Sequence, residues 1–165
     1  VELLNKYEGE LYLVLDGAGI PDVQRTVHLA DPDVETVLLY QGTEYGAYAA
    51  VSQCLVKVRK RSIFLQQFLN EDAIADFAAL YASTDPLAKL KKKLVKILDA
   101  KLPSGNIHLL RFYDPYVLNM LMENKQYNLM DKILSGCDFL CWSPDTTCFN
   151  DYERTIRAFP LGEHQ

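Results

Sequence analysis

"HLLRFYDPYVLNML", His108 to Leu121, carries an apolar run through an arginine, two aromatics and an Asp-Pro step into a helical pattern. "IHLLRFY", Ile107 to Tyr113, reads as a strand on which Arg111 shares a face with Ile107, Leu109 and Tyr113, while Leu110 and Phe112 point the other way. "DPYVLNMLMEN" then reads as a helix with Val117, Leu118, Leu121 and Met122 inward. Asp114 is the expected cap: its carboxylate accepts from the free N–H groups of the first turn, and Pro115 has no N–H to leave unpaired. Such a cap contributes about 1 kcal/mol.

A guanidinium beside an apolar layer needs a carboxylate or several carbonyls. Asp16, which follows another apolar run, or Asp114 would serve, so a structural ion pair tying strand end to strand end, with Asp16 and Arg111 as the candidate pair, is the expected role. The functional alternative is that Arg111 reads a carboxylate on a partner or a small ligand.

Outward from this joint, strand and helix patterns alternate. "ELYLVLD", Glu10 to Asp16, is too short for a helix and is stopped by Gly17 and Gly19, so it reads as a buried strand. "IPDVQRTVHLADPDV" is weakly periodic and fits a short helix. "ETVLLYQG", Glu35 to Gly42, and "AVSQCLVKV", Ala50 to Val58, read as the next strands. Ser62 stands at a capping position before "IFLQQFL", where Phe64, Leu65, Phe68 and Leu69 repeat on one helical face.

"EDAIADFAALYAST" fits a helix by its alanines and a short strand over Phe77 to Tyr81, and residue patterns alone leave it split. Asp85 as cap and Pro86 as first residue then open a helix marked by Leu87, Leu90, Leu94, Ile97 and Leu98. "PSGN" breaks it. Asn128 is the expected cap of "LMDKILSG", which stops at Gly136, and "DFLCWS" reads as a last strand. The alternation predicts an α/β fold, a mixed β-sheet flanked by α-helices, in a single domain over residues 1–165.

Composition narrows the function. The chain has 165 residues, 49% hydrophobic and 24% charged, enough for a real core and too apolar for disorder. No apolar run approaches the roughly 20 residues that span a bilayer, and "VELLNKYEGE" has no basic segment followed by an apolar one, so a soluble cytoplasmic protein with no membrane contact is expected. The net charge of −5 has the wrong sign for gripping a phosphate backbone, which argues against nucleic acid.

Chemistry-bearing residues are sparse. Cys137, Cys141 and Cys148 form one loose triplet, "CDFLCWSPDTTC", without the second close pair or the histidine of a zinc site, so Cys137 and Cys141 are expected to face the core as small hydrophobes. No metal and no cofactor is expected. His28, His108 and His164 are scattered, with no serine or cysteine in a nucleophile-and-base pattern. "DGAGIPD" lacks the spacing of a dinucleotide or phosphate loop. Asp16 and Asp114, both expected at strand ends, could together hold a metal or share a proton, and a small metal-dependent hydrolase using them is the alternative function. Lys89, Lys92, Lys93 and Lys96, with Lys91, make a basic helix face, and "KVRKR" at 57–61 a second basic run; these are solvated faces or a seat for an acidic protein.

"LYLVLDGAG", "LLYQGTEYGAYAAVSQCLVKV", "IFLQQFL", "STDPLAKLKKKLVKIL" and above all "LLRFYDPYVLNMLM", in this order, resemble the type VI secretion effector chaperone, or adaptor, family, long catalogued as a domain of unknown function. The likeness runs from about Leu11 to Trp142, and its core motif lies on Arg111, Phe112, Tyr113, Asp114, Pro115, Val117 and Leu118. Leu110 stands where that family commonly has Phe, and Tyr116 where it frequently has a basic residue. The resemblance implies a strand at Phe77 to Tyr81 and a non-catalytic protein of the bacterial cytoplasm. Such a protein binds a specific toxin effector and helps load it onto the spike protein of the type VI apparatus. It further implies that this domain is the N-terminal lobe, with residues 143–165 a tail or the start of a helical lobe.

Overall fold

The computed structural model describes residues 2–70, 72–101, 104–134, 137–143 and 157–160. The first helix and strand are α1 (Glu2–Lys6) and β1 (Glu10–Leu15). They are followed by α2 (Val23–Ala30), β2 (Thr36–Leu38), a 3-10 turn at Gly46–Val51, β3 (Cys54–Val58), α3 (Ile63–Asn70), α4 (Asp72–Ala75) and β4 (Ala78–Ser83). The second half holds α5 (Leu87–Val95), β5 (Asp99–Lys101), β6 (Ile107–Leu109), α6 (Pro115–Glu123), α7 (Tyr127–Leu134), β7 (Phe139–Trp142) and β8 (Arg157–Pro160).

β1 has five consecutive buried residues, Leu11 to Leu15, and β4 is buried throughout. A strand without alternation is covered on both faces. Tyr12, Val14, Ala79 and Tyr81 turn to one side, where Leu90 and Leu94 of α5, Leu118 of α6 and Met130 and Ile133 of α7 meet them. Leu11, Leu13, Leu15 and Leu80 turn to the other, against Leu4 of α1, Val23 and Val27 of α2, and Phe64 and Phe68 of α3. The molecule is therefore an α/β domain in which one sheet lies between two helical layers, as the sequence predicts.

The strand order is β2-β3-β1-β4-β7-β8, with β5 and β6 forming a separate ribbon. Every described pairing is antiparallel, so the sheet is not mixed. The directions explain how helical crossovers coexist with antiparallel contacts. β1 and β2 run the same way, joined through α2, but β3 lies between them; β3 and β4 run the same way, joined through α3 and α4, but β1 lies between them. Each crossover skips one position, and the skipped place is filled by a strand of opposite sense.

Several local expectations shift for physical reasons. Ser62 caps α3 as expected, its Oγ accepting from Phe64 N–H at 3.2 Å. Asp85 does not cap α5: Pro86 occupies the cap position in extended conformation, and its carbonyl receives Lys89 and Leu90 N–H. α5 stops at Val95 and closes through a tighter turn, Ile97 N–H to Leu94 O and Leu98 N–H to Val95 O, before β5. Asn128 lies inside α7, whose first turn closes on the Gln126 carbonyl. The ambiguous segment contains both α4 and β4. Arg157–Pro160 add an outer strand against β7, while Gly136, Cys148, His164 and the rest of the expected tail fall outside the described residues.

"DGAG" has a packing role. A Cβ at Gly17 would stand 2.0 Å from the Ser52 carbonyl oxygen, so the approach of the chain just before β3 needs glycine there. Gly17→Ala is expected to cost about 1–3 kcal/mol in urea unfolding at unchanged m-value, whereas Gly46→Ala, where the nearest atom is at 3.8 Å, leaves the midpoint nearly unmoved.

Candidate functional site

The opening stretch does not run as one strand. Pairing ends at Leu109, and Arg111, Phe112 and Tyr113 form a turn that leads into α6. Strand alternation therefore fails here: Phe112 and Tyr113, adjacent in sequence, are both buried. Phe112 meets Tyr81 edge to face at 6.4 Å between centroids and Tyr113 at 5.6 Å. Releasing the chain from the pleat lets two neighbouring aromatics enter the same core.

Arg111 closes the joint. Its Nη2 donates to Asp16 Oδ2 at 2.9 Å and lies 3.4 Å from Asp114 Oδ2. The Asp16 side chain is 5% exposed and the guanidinium side 52%, so the pair is sealed at the carboxylate and open at the cation. Asp16 Oδ1 accepts from Ala18 N–H at 3.0 Å, and Asp114 Oδ1 from Tyr116 N–H at 2.9 Å. Asp114 thus caps α6 with Pro115 in the first turn, as the sequence predicts. Asp16 follows β1, in the middle of the sheet, so the clamp fastens the turn before α6 to a central strand end.

Beneath it lies a polar chain that no sequence motif announces. Gln53 Nε2 donates to the Tyr113 hydroxyl at 2.7 Å and to the Tyr40 hydroxyl at 3.2 Å. Burial, with the Asp16 charge second, pushes the Tyr113 phenol up to about 12. The Arg111 guanidinium carbon sits 5.8 Å from the centre of the Tyr113 ring. The only clue in the sequence is a Ser-Gln pair directly before an apolar strand.

The arrangement limits what Asp16 and Asp114 can do. They are brought together, but on one guanidinium, and each spends its other oxygen on a backbone N–H. Among the described residues no group of three or more histidine, cysteine, aspartate or glutamate side chains is placed to hold a metal ion. Cys54, Cys137 and Cys141 are free and buried, and burial pushes their thiols up to about 12, about 11 and about 12. At neutral pH these are core thiols rather than thiolate nucleophiles.

The basic face of α5 divides in two. Asp85 draws in Lys89, at 2.6 Å, and Lys93 on its other oxygen. Lys92 and Lys96 have no carboxylate partner among the described residues. They line a groove of about 780 Å³ whose apolar wall includes Val37, Leu87, Ala88 and Val95. Lys91, also on its wall, donates to the Gln41 carbonyl at 2.6 Å and ties α5 to the loop after β2.

A family model with the description Domain of unknown function (DUF4123) matches residues 11–128, which includes all of β1 but its first residue, the whole joint and the start of α7. No curated protein and no solved structure matches the chain.

Two measurements test the electrostatics. Arg111→Ala leaves a buried carboxylate with one partner and is expected to cost about 1–3 kcal/mol in urea unfolding, with Asp16→Asn/Arg111→Met losing less than the two single changes summed. Lys89 and Lys93 lower the Asp85 pKa through their hydrogen bonds. A depressed carboxylate stabilises above its unfolded value and loses that contribution as pH falls through its folded one. Asp85→Asn is therefore less stable than the parent at neutral pH, and the gap between their urea midpoints closes below about pH 4.

Proposed function

We propose that this chain, which belongs to the family described as a domain of unknown function (DUF4123), is a non-catalytic adaptor. It binds a toxin effector and assists loading onto the spike protein of a type VI secretion apparatus in the bacterial cytoplasm. The likeness of its Arg111-Phe112-Tyr113-Asp114-Pro115 motif to effector adaptors motivates the reading. One structural observation carries it: the motif's functional groups are engaged in holding the chain, and the helix they start presents an apolar face outward. Arg111 and both aspartates satisfy one another, Phe112 and Tyr113 are in the core, and in the first turn of α6 Tyr116 is 67% exposed, with Met120 one turn later 43% exposed.

Tyr116 and Met120 are one helical turn apart and share a face. An amphipathic aromatic beside a thioether is the kind of surface that protein interfaces enrich. Tyr116 also occupies the position where the resembling family frequently has a basic residue, so its contact here is apolar and aromatic rather than charged. No bond chemistry is required: covering an apolar patch on the cargo until assembly suffices. Among the described residues no helix is long and apolar enough to cross a membrane.

Capture experiments with the tagged chain in lysate of a type VI-positive bacterium test the reading. Recovery of a spike protein or an effector is expected, and Tyr116→Glu/Met120→Glu should reduce it about tenfold or more at an unchanged melting temperature, because both side chains face water. Recovery of neither protein would remove the proposal.

A further inference from the structure

We infer that the groove between β2 and α5 is a second protein-binding site, which takes an acidic segment of a partner in extended conformation as an added strand beside β2. The inference deepens the adaptor reading by naming the chemistry of a segment the chain receives, and it rests on that reading only in requiring a protein partner. Three observations meet at this groove.

β2 is the outermost strand of the sheet at its end of the order. Lys57 N–H donates to Glu35 O and Leu39 N–H to Gln53 O, so residues 35 and 39 spend their backbone groups on β3. By the alternation of an antiparallel ladder, Thr36 between them directs its N–H and C=O away from β3, and among the described residues neither has a backbone partner. An edge with unspent groups is a template for another strand.

Beside that edge the groove offers apolar wall. Val37, on the sheet side, faces Leu87, Ala88 and Val95 of α5, which suits the alternate side chains of an extended segment. The charge is one-sided: Lys92 and Lys96 are exposed and unpaired among the described residues, and no carboxylate lines the groove. In a chain of net charge −5 this concentration of positive charge is local, and it is complementary to an acidic segment. The acidic balance of the whole chain and the apolar wall disfavour a nucleic acid strand. Asp85 sharpens the contrast by pairing with Lys89 and Lys93, while Lys92 and Lys96 on the groove wall have no described carboxylate partner.

The test is fluorescence anisotropy of a labelled peptide of alternating valine and glutamate with the full chain. Saturable binding that weakens with added salt is expected. Lys92→Glu/Lys96→Glu should weaken it about tenfold or more. Thr36→Pro, which removes an outward N–H without touching a bond to β3, should abolish it, whereas Thr36→Val, which likewise loses the hydrogen bond that Gln24 Nε2 donates to Thr36 Oγ1 at 3.1 Å but keeps the N–H, should leave it intact. Absence of saturable binding, binding indifferent to both variants, or displacement by free glutamate as effective as by unlabelled peptide would overturn the inference. The assay contains neither effector nor spike protein. A lysate experiment that recovers neither leaves a positive peptide result standing, and a silent peptide leaves the adaptor reading standing.

Discussion

Burial of β1 and β4 on both faces is the constraint from which the rest of this structure follows. A strand that hides five or six consecutive side chains cannot serve a one-sided sheet, so helices must cover both surfaces. Each strand divides its residues between the two layers. Tyr12 and Tyr81 go to the face covered by α5, α6 and α7, and Leu13 and Leu80 to the face covered by α1, α2 and α3. The large aromatics on the first face bring partners with them: Phe112 packs edge-on against Tyr81, and the Tyr81 hydroxyl donates to the Ile133 carbonyl of α7 at 3.2 Å. Interior packing at crystal-like density then fixes where the turn before α6 can lie.

Arg111 secures that turn from outside. A half-exposed guanidinium gains little from a single surface pair, but here it faces a carboxylate already shielded from water, so withdrawal would strand a buried charge. The same cation sits near Asp114, whose other oxygen caps α6. One side chain therefore links a central strand end, a helix start and the buried Tyr113 ring. This accounts for the residue types of the motif without any catalytic step: Arg for the two carboxylates, Phe and Tyr for the core, Asp and Pro for the helix start.

With those groups committed to the fold, the surface rather than a cleft of reactive groups carries the functional proposal. Two regions stand apart, the Tyr116 and Met120 face of α6 and the lysine-flanked groove at β2. An adaptor that meets both a cargo and a spike protein needs two such regions, since one surface cannot be covered by both at once.

The amino-acid sequence alone determined the element types and most of the joint. The α/β class, β1, α3, β7, the Ser62 and Asp114 caps and the pairing of Arg111 with Asp16 were all legible, because local propensity, capping chemistry and the cost of an unpaired buried charge are written residue by residue. The strand expected at Phe77 to Tyr81, found at Ala78–Ser83, was legible only through family likeness, since alanine-rich segments satisfy either state until their neighbours are known. Tertiary structure decided the rest. Strand direction depends on which strand fills a skipped position, so alternating helix and strand patterns suggested a mixed sheet where β3 and β1 interleave to make it antiparallel. Arg111 left its strand because the core accepted both Phe112 and Tyr113, a preference no pleated pattern expresses. Asp85 lost its capping place to Pro86 and took Lys89 and Lys93 instead, and the division of the lysines into paired and open sets followed from that one shift in position. Composition records which charges a chain carries; only packing determines which of them have already been answered.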